Sequence, residues 1–324
     1  MSHNLEKIKA PVQQELIQFE KHFKESMKSS APLLDKITFY IVQKKGKQIR
    51  PILVFLTAKL CGEIRDSTYV AASLIELLHT ATLVHDDVVD DAYERRGFFS
   101  VNALWKNKIA VLVGDYLLSQ GMNIALETNN YRHLHTVSKA IKQMAEGELI
   151  QIEKARKLDI KEEVYYDIIT KKTASLIAAA CAAGASSTNS DPEILDKFWK
   201  LGEKMGIAFQ IKDDLFDYGE DNIGKPRGID IKEKKMTLPL IYALQHADYA
   251  TKKKVIHTIK NESNNETKVR EIIDFVKKSG GMEYASDAMV SYQNEAIEIL
   301  REFEPSPTRD ALESLVYFVT QRSL

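Results

Sequence analysis

Leu74-Ile75-Glu76-Leu77-Leu78-His79-Thr80-Ala81-Thr82-Leu83-Val84-His85-Asp86-Asp87-Val88-Val89-Asp90-Asp91 begins on apolar positions and ends on aspartates. Leu74, Ile75 and Leu78 fall at three- and four-residue steps, the spacing of a helix face rather than the alternation of a strand. On a helix, Asp86 and Asp90 project from the same side. Like charges at that spacing cost an isolated helix about 0.2–0.5 kcal/mol, so the segment asks for a compensating cation.

The pattern recurs in Phe209-Gln210-Ile211-Lys212-Asp213-Asp214-Leu215-Phe216-Asp217, after the apolar positions Ile207, Phe209 and Ile211. One Asp-Asp-x-x-Asp is ordinarily a solvated acidic face. A second copy beside another apolar helix face points to a shared purpose. Carboxylates are hard ligands, and Mg²⁺ is typically held by one or two of them together with waters and substrate phosphate. Two such clusters facing each other across a helical bundle would clamp a diphosphate through bound metal. Asp86, Asp87, Asp90, Asp213, Asp214 and Asp217 are therefore the expected metal ligands.

The rest of the chain is read as helical too. Only 14 Gly and 8 Pro interrupt 324 residues, and no long stretch alternates as a strand does. Pro51 opens the apolar run Ile52 to Leu60, Pro192 follows Ser190 and Asp191, and Pro239 follows Thr237, all good helix starts. Loops are expected at Ala185–Asp191, Asn261–Thr267 and Gly280–Gly281. No linker divides the chain, so residues 1–324 are read as one all-α domain, a large helical bundle around a deep central cavity. A net charge of -1 argues against nucleic acid as a partner. Cys61 and Cys181 are too few for a disulfide scaffold and read as inert buried thiols. No signal-peptide run opens the sequence, and the stretch Leu176–Ala185 is too short to span a bilayer. A cytoplasmic protein without stable membrane insertion is expected.

Basic residues complete the pattern. Lys47 and Arg50 lie in Gly46-Lys47-Gln48-Ile49-Arg50-Pro51, at a helix start where backbone amides can cradle phosphate. Arg95-Arg96-Gly97 follows the first aspartates, and arginine pairs phosphate bidentately. His79 lies two turns before Asp86, Lys172-Thr173 interrupts a helical pattern, Gln210 precedes Asp213 by three, and Lys225 and Lys235 flank the loop after the second cluster.

In these motifs the sequence resembles the trans-isoprenyl diphosphate synthase family, from about residue 40 to the C-terminus. The family's two aspartate-rich motifs look like Asp86, Asp87, Asp90 and Asp213, Asp214, Asp217. Its Gly-Lys-x-x-Arg-Pro, Arg-Arg-Gly, Lys-Thr, Gly-Lys-Pro and Lys-x-Thr-Leu-Pro elements look like Gly46 to Pro51, Arg95 to Gly97, Lys172-Thr173, Gly224-Lys225-Pro226 and Lys235 to Pro239. The resemblance implies an isoprenoid synthase fold and a prenyltransferase that adds isopentenyl diphosphate to an allylic diphosphate of the farnesyl or geranyl type. It implies that the aspartates hold about three Mg²⁺ ions on the allylic diphosphate. Arg95, Lys172, Lys225 and Lys235 would contact that diphosphate, and Lys47, Arg50, His79 and Arg96 that of isopentenyl diphosphate. Thr173 and Gln210 would lie along the reacting carbons, and a homodimer is implied. Asp86, Asp87, Asp90, Lys172, Thr173, Gln210 and Asp213 form the expected catalytic set.

This sequence departs from the family at Lys45 and Gln48, at Phe98-Phe99-Ser100 in place of Lys-Pro-Thr, and at Lys234 in place of glycine. In the family, aromatic residues four and five positions before the first motif stop growth at short products. Here those positions are Thr82 and Ala81, both small, with Leu78 and Ile75 as a deeper floor. An open apolar pocket would take a long product, roughly C30–C50 and about C40, rather than a shorter one of roughly C15–C20. A non-catalytic partner subunit would be expected to have lost aspartates from one cluster, and a terpene cyclase usually mixes Asn, Ser and Glu in the second. This chain keeps all six.

Overall fold

With few glycines or prolines to break it, the chain folds as a succession of helices. The computed structural model describes residues 2–43, 46–95, 97–158, 161–219 and 228–320. Helix α1 (Ser2–Lys9) runs through a 3₁₀ turn into α2 (Gln13–Ser26), followed by α3 (Pro32–Gln43), α4 (Ile49–Cys61) and α5 (Asp66–Val89). A hairpin of β1 (Glu94–Arg95) and β2 (Phe98–Phe99) pairs antiparallel, Glu94 opposite Phe99 and Arg95 opposite Phe98. Then come α6 (Val101–Trp105), α7 (Asn107–Glu127), α8 (Tyr131–Lys157), α9 (Glu162–Ile169), one π-helical turn (Thr170–Ala174), α10 (Ser175–Ser186) and α11 (Pro192–Phe216). The chain ends in α12 (Ile229–Lys232), α13 (Leu238–Gln245), α14 (Tyr249–Asn261), α15 (Glu266–Lys278), α16 (Gly281–Arg301) and α17 (Pro307–Thr320). The all-α expectation holds, and the hairpin is the only sheet among the described residues.

Most of the expected punctuation is in place. Pro51 and Pro239 lie in the first turns of α4 and α13, and Pro192 opens α11, where Asp191 Oδ1 accepts from the Glu193 amide at 3.0 Å. Gly280, at φ +78°, separates α15 from α16 in a left-handed conformation that glycine adopts without Cβ strain. Asn265 caps α15 by accepting from the amides of Thr267 and Lys268.

The helices form two compact units. The first comprises Met1–Ile141, Ala178–Trp199 and Pro305–Leu312. In it α4 is buried almost all round, from Ile52 through Leu56, and the Phe55 ring meets Phe19 at 5.9 Å and Tyr69 at 5.1 Å. Each such aromatic or branched side chain taken from water stabilises the fold by about 1.5–3 kcal/mol. Helix α5 buries Leu74, Ile75, Leu77, Leu78 and Ala81, the face its spacing predicts. The second unit comprises Lys142–Ile177, Lys200–Glu304 and Glu313–Leu324. Its core joins Tyr165 and Ile169 of α9, Ile207, Ile211 and Leu215 of α11, and apolar residues of α13, α15 and α16.

Two further points bear on the sequence reading. Three helical segments, Asp66–Val89, Asn107–Glu127 and Glu162–Ser186, are by length and composition long and apolar enough to cross a membrane. The uninterrupted run Leu176–Ala185 understated this, because it stopped at isolated polar residues that a helix tolerates. In α5 and in the α9–α10 segment the apolar surface is largely spent on packing, whereas only 33% of the apolar window of α7 is buried. Cys181 is buried as expected, whereas Cys61 is only half-buried, and burial pushes both thiols up to about 12.

Candidate active site

The first aspartate cluster lies at the end of α5. Asp90 is the C-cap residue, its amide bonded to the Asp86 carbonyl at 2.8 Å, so the helical spacing of the pair persists to the last turn. Asp86 is half-buried and Asp90 exposed, while Asp87 is buried at 3% exposure. The Asp87 carbonyl accepts from the Ala92 amide at 2.9 Å and from Asn102 Nδ2 at 3.0 Å. Ser100 caps α6 and donates its hydroxyl to the Ala92 carbonyl at 2.6 Å. The hairpin segment is thus stitched to the end of α5. A helix C-terminus carries about half a negative charge, and no basic residue occupies the last turn of α5. Carboxylates crowd the end of the helix where anions are least welcome.

Sequence reasoning passed over His85. Its Nε2 lies 3.4 Å from Asp115 Oδ1 and 3.2 Å from the Val111 carbonyl of α7. Gly114 makes this possible, because a Cβ there would overlap the imidazole ring. Arg50 and His79 do meet, Arg50 donating through a guanidinium nitrogen to His79 Nε2 at 2.9 Å. Lys47 is exposed, next to Gln48 in a left-handed conformation at φ +54°. Arg95 sits on β1, and Arg96 and Lys225 lie outside the described residues. Of the chain-length candidates on α5, Ile75, Leu78 and Ala81 are fully covered and Thr82 is half-buried.

The second cluster ends α11, again with no basic residue in the last turn. Its three aspartates differ. Asp213 is exposed. Asp214 is buried, accepting from the Tyr165 hydroxyl at 2.7 Å on Oδ2 and from Gln210 Nε2 at 2.9 Å on Oδ1. Asp217 accepts from the amides of Ile229 at 2.8 Å and Asp230 at 3.2 Å, capping the start of α12. Gln210 Oε1 in turn accepts from Thr173 Oγ1 at 2.8 Å. Lys172 and Thr173 stand in the π-helical turn, the interruption expected there, and such single turns often mark functional sites. Lys172 Nζ lies 2.5 Å from Glu148 Oε2 and 3.4 Å from Gln151 Oε1. Gly147 lets α8 lie against this turn, since a Cβ there would come within 2.8 Å of the Lys172 amide nitrogen. Lys235 Nζ is 2.5 Å from Glu233 Oε2 and 3.9 Å from Asp230 Oδ1.

Electrostatics set the chemistry. Burial pushes the Asp214 carboxyl up to about 8, and the charge of Asp230 adds to this while the bonds from Gln210 and Tyr165 oppose it. Burial, with Asp217 next, pushes Asp230 to about 7, and burial also raises Asp217. Asp230 was not singled out by spacing, since it reaches the cluster only through the fold. Among the described residues no three His, Cys, Asp or Glu side chains converge as a metal site. The donor set nevertheless fits a hard divalent cation, being all carboxylate, crowded and placed at negative helix ends. Asp214 and Asp217 accept protein donors on both oxygens, whereas Asp213 and Asp90 are exposed and Asp86 is half-buried, so a cation reaches these three most readily.

Comparison with known proteins agrees with this chemistry. The sequence model of a family described as "Polyprenyl synthetase" matches residues 31–276. Octaprenyl diphosphate synthase of Escherichia coli (strain K12) is 33% identical over 98% of this chain and 99% of its own length. Among solved structures, a polyprenyl synthase from Caulobacter crescentus CB15, complexed with calcium and isoprenyl diphosphate, superposes with a TM-score of 0.91 at 31% identity over 98% of both chains. A geranylgeranyl pyrophosphate synthase from Bacteroides thetaiotaomicron superposes with a TM-score of 0.85 at 38% identity, over 99% of this chain and 100% of its own.

Proposed function

The chain belongs to the polyprenyl synthetase family, a family of prenyltransferases, and from that premise we propose that it condenses isopentenyl diphosphate with an allylic diphosphate, with Mg²⁺, to make a long-chain polyprenyl diphosphate. The observation that carries this is the placement of both Asp-Asp-x-x-Asp motifs at the C-terminal ends of α5 and α11, where a bound cation would offset carboxylate crowding and helix dipole together.

Bound Mg²⁺, about three ions, would neutralise the diphosphate leaving group as the carbon–oxygen bond breaks. Asp86, Asp90 and Asp213 would hold it, and Asp87, Asp214 and Asp217 would fix the ends of the two helices. Lys172 exchanges Glu148 for a diphosphate oxygen, and Lys235 likewise leaves Glu233. Arg95 and Lys225 serve the same diphosphate, while Lys47, Arg50, His79 and Arg96 hold that of isopentenyl diphosphate. Thr173 and Gln210 set oxygen dipoles beside the reacting carbons, where positive charge develops.

The small residues Ala81 and Thr82 and the octaprenyl relative favour a long product, about C40, with Leu78 and Ile75 as the deeper floor of its pocket. The 38% identity to a geranylgeranyl pyrophosphate synthase favours a second reading, a shorter product of roughly C20. A homodimer is supported by α7, which exposes Val111, Leu112 and Leu126. The enzyme is read as one cytoplasmic synthase domain.

The test is incubation of purified protein with Mg²⁺, farnesyl diphosphate and labelled isopentenyl diphosphate, with products sized by mass spectrometry. A metal-dependent ladder ending at one polyprenyl diphosphate is expected, and its end decides between long and short. No incorporation with farnesyl, geranyl or geranylgeranyl starters would refute the assignment.

A further inference from the structure

One chain of hydrogen bonds in the second unit converges on Asp214. The Tyr165 hydroxyl and Gln210 Nε2 both donate to Asp214, and Thr173 Oγ1 donates to Gln210 Oε1. Tyr165 is buried at 4% exposure and Asp214 at 6%, so neither can borrow a partner from bulk water. The Asp214 Oδ1 that faces Gln210 accepts whether the carboxyl is ionised or carries its proton on Oδ2, whereas an amide has one accepting and one donating end. Asp214 therefore fixes which way the Gln210 amide faces. Its nitrogen turns to the carboxylate and its oxygen to Thr173. That oxygen takes the Thr173 proton and leaves the hydroxyl's lone pairs for whatever else lies beside it.

We propose that Tyr165 is a positioning residue for the prenyl transfer: through Asp214 and Gln210 it fixes the direction of the Thr173 hydroxyl, so that its lone pairs face the positive charge developing on the reacting carbons. The proposal rests on the condensation activity put forward above. Asp214, in this arrangement, acts through Gln210. Tyr165 is well placed for the task, because α9 leads directly into the π-helical turn that carries Lys172 and Thr173, and its own ring is locked edge-on against Tyr166 at 5.4 Å. Removing its hydroxyl leaves one Asp214 oxygen without its donor and lets the carboxylate and the Gln210 amide rotate together. Misplacement of an oriented group by about 1 Å can cost up to about a hundredfold in rate.

The test is a double-mutant cycle on turnover. Tyr165→Phe in the otherwise natural protein is expected to lower kcat by about 10- to 100-fold, with KM for isopentenyl diphosphate and half-saturating Mg²⁺ within about twofold. In a Thr173→Val background, which has no hydroxyl to direct, Tyr165→Phe should have no further effect on kcat. In Thr173→Ser, which restores the hydroxyl, the loss should return. An equal loss in all three backgrounds means that Tyr165 serves the fold alone and overturns the proposal, as does a loss confined to KM. Should Tyr165→Phe fail to fold by circular dichroism, Asp214→Leu, which offers Gln210 no acceptor, takes its place in the same cycle with the same expectation. An inactive natural protein refutes the condensation activity itself, whereas an active one with additive losses refutes only the relay.

Discussion

Asp214→Asn should make the metal-free protein more stable at neutral and alkaline pH, and less sensitive to pH. In the unfolded chain the Asp214 carboxyl ionises at its ordinary value of 3.8, whereas burial raises it to about 8 in the fold. Between those values the folded state holds a proton that the unfolded state has released. Stability therefore falls as pH rises, by about 1.4 kcal/mol per pH unit for one proton. The contribution is fully present below the unfolded value and is lost as pH passes the folded one. From pH 5 to pH 8 the loss attributable to this one group is roughly 4 kcal/mol. Asp230, raised to about 7 mainly by burial and by Asp217, adds a slope of the same sign in both proteins, so the difference between them isolates Asp214. The asparagine keeps the shape of the side chain, an acceptor for one neighbour and a donor that the Tyr165 oxygen can accept. Urea unfolding in a chelator, followed by circular dichroism across this pH range, measures both slopes. Parallel curves for the two proteins would show that Asp214 folds already ionised and that the reasoning from burial is wrong.

Asp86→Ala or Asp213→Ala should lower turnover by at least about 10²–10³ with an unchanged circular dichroism spectrum, and near-natural turnover in either would remove the metal-cluster reading. Ala81→Phe should shorten the product on mass spectrometry. Because Ala81 is 1% exposed, the same change should also cost about 1–3 kcal/mol by overpacking, and an unshortened product would place the floor elsewhere. Leu112→Glu on the exposed face of α7 should shift the protein toward monomer in sedimentation velocity, and an unmoved sedimentation coefficient would clear that face of any role in assembly.

The helical class and both aspartate clusters were legible because they depend on local spacing: period, proline placement and a motif that repeats. The π-helical turn was visible only as an interruption at Lys172-Thr173, and its geometry comes from what packs on it. The division of labour within each cluster was not legible at all. Asp213 and Asp214 are neighbours of one residue type, yet one is exposed and the other is buried between Tyr165 and Gln210, 49 and 4 residues away in sequence. Spacing says which carboxylates share a helix face but not which oxygens the protein claims for itself. Glu148 beside Lys172 and Asp115 beside His85 were hidden for a related reason. Each is an unremarkable surface-type residue until a second element brings it within reach. The apolar length of α5 and α7 was understated because single polar residues were treated as breaks, although a helix carries them on one side.

Both native thiols are shielded, Cys181 in the core and Cys61 at the end of α4, with ionisation pushed up to about 12. Since the thiolate is the reactive form, maleimide or nitroxide reagents will find almost nothing to attack in the natural chain at neutral pH. A pair of cysteines introduced at exposed positions, such as Leu149 of α8 and Tyr249 of α14, would then carry the spectroscopic signal. Distances between labels could be followed through a catalytic cycle without first replacing a residue of the core.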